Sequence, residues 1–147
     1  LSAVYRPLNN FFMRMVQDKI RNKYISENYI PKGVAGTRKL LKYFRKGSSI
    51  AIMIDQRVSQ GEKIKFFNHD AYTTTIPAQF SKKYKCEIVP IYIERLDGTK
   101  FKIIINKPMK FKNEESIKKI TTDLNLWLES MILKNPSQWI WTHNRWK

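Results

Sequence analysis

A chain of 147 residues with 28 lysines and arginines against 12 acids, a formal charge of +16, is long enough for one domain with a core of its own. Its 42% hydrophobic and 13% aromatic content, with only five glycines, excludes a disordered or low-complexity protein. The single cysteine, Cys86, excludes an internal disulfide and a cysteine-based zinc site; no stretch reaches the roughly 18 consecutive apolar residues of a transmembrane helix, and no signal-peptide pattern is visible. The positive field favours phosphate, anionic lipid headgroups or an acidic protein as partner. Lysines scattered over every segment also make an ordinary solvated surface, so only a clustered patch would carry function.

In chain order, LSAVYRP reads as a strand already under way, and with no initial methionine the chain is expected to lack an N-terminal part. LNNFFMRMVQDKIRNKY spaces Phe12, Val16, Ile20 and Tyr24 four apart, a helical period that Asn9 or Asn10 would cap. GTRKLLKYFRKG predicts a second helix with Leu40, Leu41 and Phe44 buried and Gly47 as its stop. SSIAIMIDQ predicts a central strand buried on both faces, delivering Asp55 and Gln56 at its carboxyl end, where open α/β sheets gather ligands.

A polar loop around Gly61 leads into IKFF, a short strand or hairpin arm. TIPAQFSKKY begins a helix with Thr74 or Thr75 near the cap and Pro77 in the first turn. EIVPIYIER predicts another buried strand, joined through an Asp97-Gly98 turn to an antiparallel partner, DGTKFKIIINK. The last helix sets Ile117, Ile120, Leu124, Leu128 and Met131 on one face with acids in its first turn, and an aromatic, basic tail follows. Together these elements predict an α/β fold, a single domain over residues 1–147 with a mixed β-sheet flanked by helices.

No phosphate-loop, dinucleotide or serine-hydrolase motif is present. His69 and His143 lack companions at ligand spacing, so no metal is expected. Asp55 is either a loop aspartate capping a turn or a polar group aimed into a cleft. Thr73, Thr74 and Thr75 either cap the following helix or line a hydroxyl and N–H pocket for an anion or carbonyl oxygen. Trp139, Trp141 and Trp146 are packing residues by default, and Arg145 between them is either a solvated tail residue or an anion grip.

Several stretches taken together, VYRP, IAIMIDQ with its Gly-containing loop and FF, TTTIP, VPIYIER and PSQWIWTHNRWK, resemble the lipid A biosynthesis lauroyl/myristoyl acyltransferases of bacteria. The resemblance covers nearly the whole chain, and the terminal Pro, Gln, Trp, Trp, His, Arg, Trp, Lys pattern is its most specific part. It implies a sandwich like that of the glycerol-phosphate acyltransferases. It also implies transfer of a fatty acyl chain from acyl carrier protein or coenzyme A to a glycolipid hydroxyl, at the cytoplasmic face of the inner membrane. No cofactor beyond the thioester co-substrate is implied.

By motif, the resemblance carries substrate or site roles onto Tyr5, Arg6, Asp55, Gln56, Phe66, Phe67, Thr73, Thr74, Thr75, Arg95, His143 and Arg145. Where the family commonly has glycine after the two phenylalanines this chain has Asn68, which tolerates positive φ. The family's general base is a histidine followed five positions later by an acid, but here Thr74 stands at that distance from His69, and only four residues follow His143. The resemblance therefore places the catalytic pair and the membrane anchor upstream of Leu1. Anionic glycolipid, carrier protein and membrane surface would each explain the positive field.

The alternatives are a basic nucleic-acid-binding α/β module, an acyltransferase of mannosylated inositol lipids, and a non-catalytic remnant. No nucleic-acid partner is expected, because no RNP-like or helix-turn-helix pattern accompanies the charge. On this reading an Arg145→Ala substitution lowers transfer while leaving the thermal transition nearly unchanged.

Overall fold

A computed structural model describes residues 1–5, 10–24, 29–31, 34–59 and 61–146. Among them are four α-helices and three small sheets, a mixed α and β architecture as the sequence predicts. The chain divides into two compact units, Leu1–Met53 and Ile54–Lys147.

In the first unit, β1 (Ser2–Tyr5) lies between β2 (Tyr29–Pro31) and β3 (Ile50–Ala51), all parallel. Parallel neighbours need crossovers, and these are supplied by α1 (Phe11–Tyr24) and α2 (Val34–Arg45). Asn10 is the cap that α1 uses: its Oδ1 accepts from the Met13 N–H at 3.1 Å. The predicted stripe of α1 has the right period, but Phe12, Val16, Ile20 and Tyr24 are all solvent-exposed. On α2, Leu40 is buried and Leu41 and Phe44 half-buried, and Gly47 ends the helix at φ +82°.

The predicted central strand is shorter than expected. Only Ile50 and Ala51 join the ladder, β3 is an edge strand of the sheet, and Met53 is exposed. A strand buried on both faces needs neighbours to hold it, and among the described residues β3 has one.

In the second unit, β4 (Glu62–Phe66) and β5 (His69–Thr73) form a hairpin whose central residues, Phe67 and Asn68, sit at φ +48° and +61°. Two-residue loops with positive φ match the twist of the flanking strands. Asparagine adopts that conformation readily; phenylalanine does so at a cost of about 1–2 kcal/mol. Phe67 is held there by the Glu129 carboxylate, which accepts its N–H at 2.7 Å, and by ring contacts with Phe66 and Trp141. Gly61 has a different reason: a Cβ there would collide with the backbone of Thr73.

After the hairpin comes α3 (Ile76–Tyr84), with Pro77 in its first turn as predicted. β6 (Ile91–Arg95) and β7 (Phe101–Ile105) pair antiparallel through the Asp97-Gly98 turn, Gly98 at φ +54°. The strands stand where expected but are not buried. Ile91, Ile93, Phe101, Ile103 and Ile105 share one exposed face of the two-stranded ladder.

α4 (Ile117–Lys134) packs against β4 and α3. Its buried face contains Ile120, Leu124, Leu128 and Met131, as the periodicity predicts, with Ile117 half-buried. The acids precede the helix instead of occupying its first turn. Ser116 is the cap, accepting from the Lys119 N–H, and Glu115 accepts from the Lys112 N–H before it.

One core cluster joins Phe66, Ala71, Leu128 and Ile132 to Trp127, Trp139 and Trp146. The other joins Ala78, Ile120 and Leu124 to Ile88, Met109 and Phe111. Ile54 touches both, so the segment that carries Asp55 is anchored at its root.

Candidate active-site framework

The aromatic tail folds back onto the hairpin. A 3-10 turn, Pro136–Gln138, redirects the chain after α4, and the Trp146 Nε1–H donates to the Phe66 carbonyl at 3.0 Å. That return places Arg145 in the interior, where it is 0% exposed. Its Nη2 donates to Asn125 Oδ1 at 3.0 Å and Thr73 Oγ1 at 3.2 Å, and its guanidinium carbon lies 4.0 Å from the centroid of the Phe66 ring. A desolvated cation needs such partners: a planar fork on hydrogen-bond acceptors and an aromatic face supplies them.

The node extends through Asn125, whose Nδ2 donates to the Lys65 carbonyl at 2.9 Å, and through the Thr73 hydroxyl, which donates to the Ala71 carbonyl at 3.1 Å. One side chain on α4 thus fixes both hairpin strands and the tail. Burial pushes the Arg145 guanidinium down to about 10, while the negative charges of Asp55 and Glu129 hold it up; it stays protonated at neutral pH.

Asp55 and Arg145 have complementary unmet needs. Among the described residues, the buried Oδ1 of Asp55 and the buried Nε and Nη1 of Arg145 have no hydrogen-bond partner. Buried polar atoms of this kind mark places where a water, an ion or a small rearrangement completes the network. A second tie links the same segments. The Nε2 of His143 accepts from the Arg57 N–H at 3.1 Å, so the ring proton sits on Nδ1, and the Arg57 guanidinium lies over Tyr72 of the hairpin.

The remaining candidates stand as follows. Thr74 and Thr75 are buried; the Thr74 Oγ1 lies 3.4 Å from the Ile76 N–H, and the Thr75 Oγ1 accepts from the Gln79 side chain at 2.9 Å. These hydroxyls are engaged in the start of α3. Gln56 is exposed beside Asp55. Arg95 is exposed at the end of β6, over the Phe101 ring; its backbone is clamped by the Gln138 amide, which accepts at 3.0 Å and donates at 2.6 Å. Phe66 is core and Phe67 holds the turn. Tyr5 pairs with Pro31 through the backbone of the first unit, and Arg6 lies outside the described residues.

Asp55, Thr73, His143 and Arg145 are therefore brought together with the hairpin. Arg95 is held by a separate set of contacts, in a shallow hollow lined by Ile93, Phe101, Ser137 and Gln138. No group of three or more potential metal ligands occurs among the described residues. No helix among them is long and apolar enough to cross a membrane.

Sequence reasoning missed Asn125 and Glu129, and gave no role to Gln138 although it belongs to the terminal motif. The signal for Asn125 was present: it falls in the buried stripe of α4 with Thr121, Leu128 and Ile132, and a polar side chain at a core position needs a polar partner.

A motif-bearing segment after a strand, locked to a hairpin and to an aromatic-arginine tail, defines a framework that displays a carboxylate beside a buried cation. The family whose model matches is described as bacterial lipid A biosynthesis acyltransferase, and the match spans residues 1–147. The chain belongs to that family, which is one of transferases. A comparison with curated proteins found no match.

Proposed function

We propose that this chain forms part of an enzyme that moves a fatty acyl group from an acyl carrier protein or coenzyme A thioester to a hydroxyl of a lipid A precursor, at the cytoplasmic face of the inner membrane. The observation that carries the reading is the family match over all 147 residues. The mixed α and β fold agrees with a sandwich of the glycerol-phosphate acyltransferase kind. The positive charge suits an anionic glycolipid and an acidic carrier.

Within this reading Arg145 acts from the interior. Its geometry suits positioning: it stiffens the hairpin and tail around Asp55, with direct contact to substrate left to exposed groups such as Gln56 and Arg95. The general base is assigned to neither histidine, since His143 Nε2 is occupied by the Arg57 N–H and Thr74, not an acid, stands five positions after His69. On this reading the base comes from residues other than these 147.

The test uses the protein as encoded, in detergent micelles with a lipid A precursor and either thioester, read by mass spectrometry of the glycolipid. The expected product gains one ester-linked acyl chain. Thioester hydrolysis without acylated glycolipid, or no consumption of either donor, overturns the proposal.

A further inference from the structure

We propose that the groove between the end of α3 and residues 109–113 binds an anionic amphiphile, a phosphate monoester carried on a short apolar body. The groove encloses about 310 Å³, at the lower end of small-ligand sites. Its floor is apolar, formed by Met109, Phe111 and the core residue Ile120. Its rim is cationic.

Lys82 builds the wall: its ammonium donates to the carbonyls of Glu115 at 2.6 Å and Asn113 at 3.3 Å. Lys85, Lys110 and Lys112 remain on the rim with one lining acid, Glu87, and the Glu115 carboxylate stands beside them, accepting from the Lys112 N–H. Glu87 meets Lys110 at 3.7 Å with both side chains largely exposed, a weak pair that a stronger anion displaces. The remaining excess of positive charge complements the −1.5 to −2 that a phosphate monoester carries at neutral pH, roughly. An acidic protein segment would satisfy the rim but leave the sunken apolar floor unused. The inference stands on these residues alone and does not rest on the acyl-transfer reading.

Cys86 lines the groove, is half-buried and is the chain's single cysteine, so its alkylation reports occupancy. The experiment follows alkylation of Cys86 in the protein as encoded, read on its peptide by mass spectrometry, by a maleimide at about pH 8.5, near the pKa of a free thiol, with n-decyl phosphate, n-decanol or inorganic phosphate. Decyl phosphate below its micelle concentration is expected to slow alkylation about five-fold or more, with little protection from decanol or phosphate alone. Lys110→Gln combined with Lys112→Gln is expected to raise the half-protecting concentration about five-fold. Unfolding would speed the reaction, so slowing does not arise from it. The proposal is overturned by any of three results: no slowing, equal protection by decanol or by inorganic phosphate, or protection unchanged in the double variant.

Discussion

Replacing Arg145 with alanine removes a buried cation, and the structure gives the terms that decide the outcome. Charge-assisted hydrogen bonds to Asn125 and Thr73 contribute about 1.5–3 kcal/mol each, and a desolvated cation over an aromatic ring about 2 kcal/mol. Against these stands the cost of taking the guanidinium out of water, which, net of the nearby charges of Asp55 and Glu129, amounts to about 3 kcal/mol from the fall of its pKa to about 10. Thr73 Oγ1 keeps a donor, the Asn125 Nδ2 at 3.4 Å, whereas Asn125 Oδ1 is left stranded.

The net loss is about 3 kcal/mol, which moves the urea midpoint of the second unit by about 2 M, followed by tryptophan fluorescence from the tail packed on Phe66. Arg145→Lys keeps the charge but not the fork, and falls between wild type and alanine. The expectation from sequence, a nearly unchanged thermal transition, gives way to this one because the side chain is fully enclosed. An alanine variant within about 0.5 kcal/mol of wild type refutes the buried-node reasoning.

Glu129→Ala strands the Phe67 N–H in a strained turn and is expected to cost about 1–3 kcal/mol by urea denaturation. At position 68, Asn68→Val forces a β-branched residue to positive φ and destabilises by about 1–2 kcal/mol or more, while Asn68→Gly stays within about 0.5 kcal/mol of wild type in the same assay. Burial pushes the Cys86 thiol up, so its folded pKa exceeds the unfolded one. The stability linked to that thiol is fully present below the ordinary cysteine range and is lost as pH rises from that range through the raised folded pKa; denaturation at several alkaline pH values should show wild type losing this increment and Cys86→Ser lacking it.

Local chemistry was legible wherever a residue's own preferences decide the structure. The three- and four-residue spacing of Ile120, Leu124, Leu128 and Met131 located the buried face of α4, Asp97-Gly98 located the β6–β7 turn, and Asn68 announced its positive φ. What failed depends on what lies opposite. EIVPIYIER is apolar enough for burial, but its alternation in a two-stranded ladder leaves Ile91 and Ile93 exposed. IAIMID looked central and pairs only at an edge.

The site shows the same division. Motif resemblance marked Asp55, Thr73, His143 and Arg145, and the fold gathers them. That Arg145 turns inward, toward an asparagine twenty positions away on α4, follows from the tail's return over Phe66, which no local pattern encodes.

The most direct measurement of the central claim is a double-mutant cycle between Arg145→Ala and Asn125→Ala, using unfolding free energies of the whole chain. A charge-assisted bond in a buried network predicts a coupling of about 1.5 kcal/mol or more. Additivity within about 0.5 kcal/mol would contradict a cation and an amide acting as one unit.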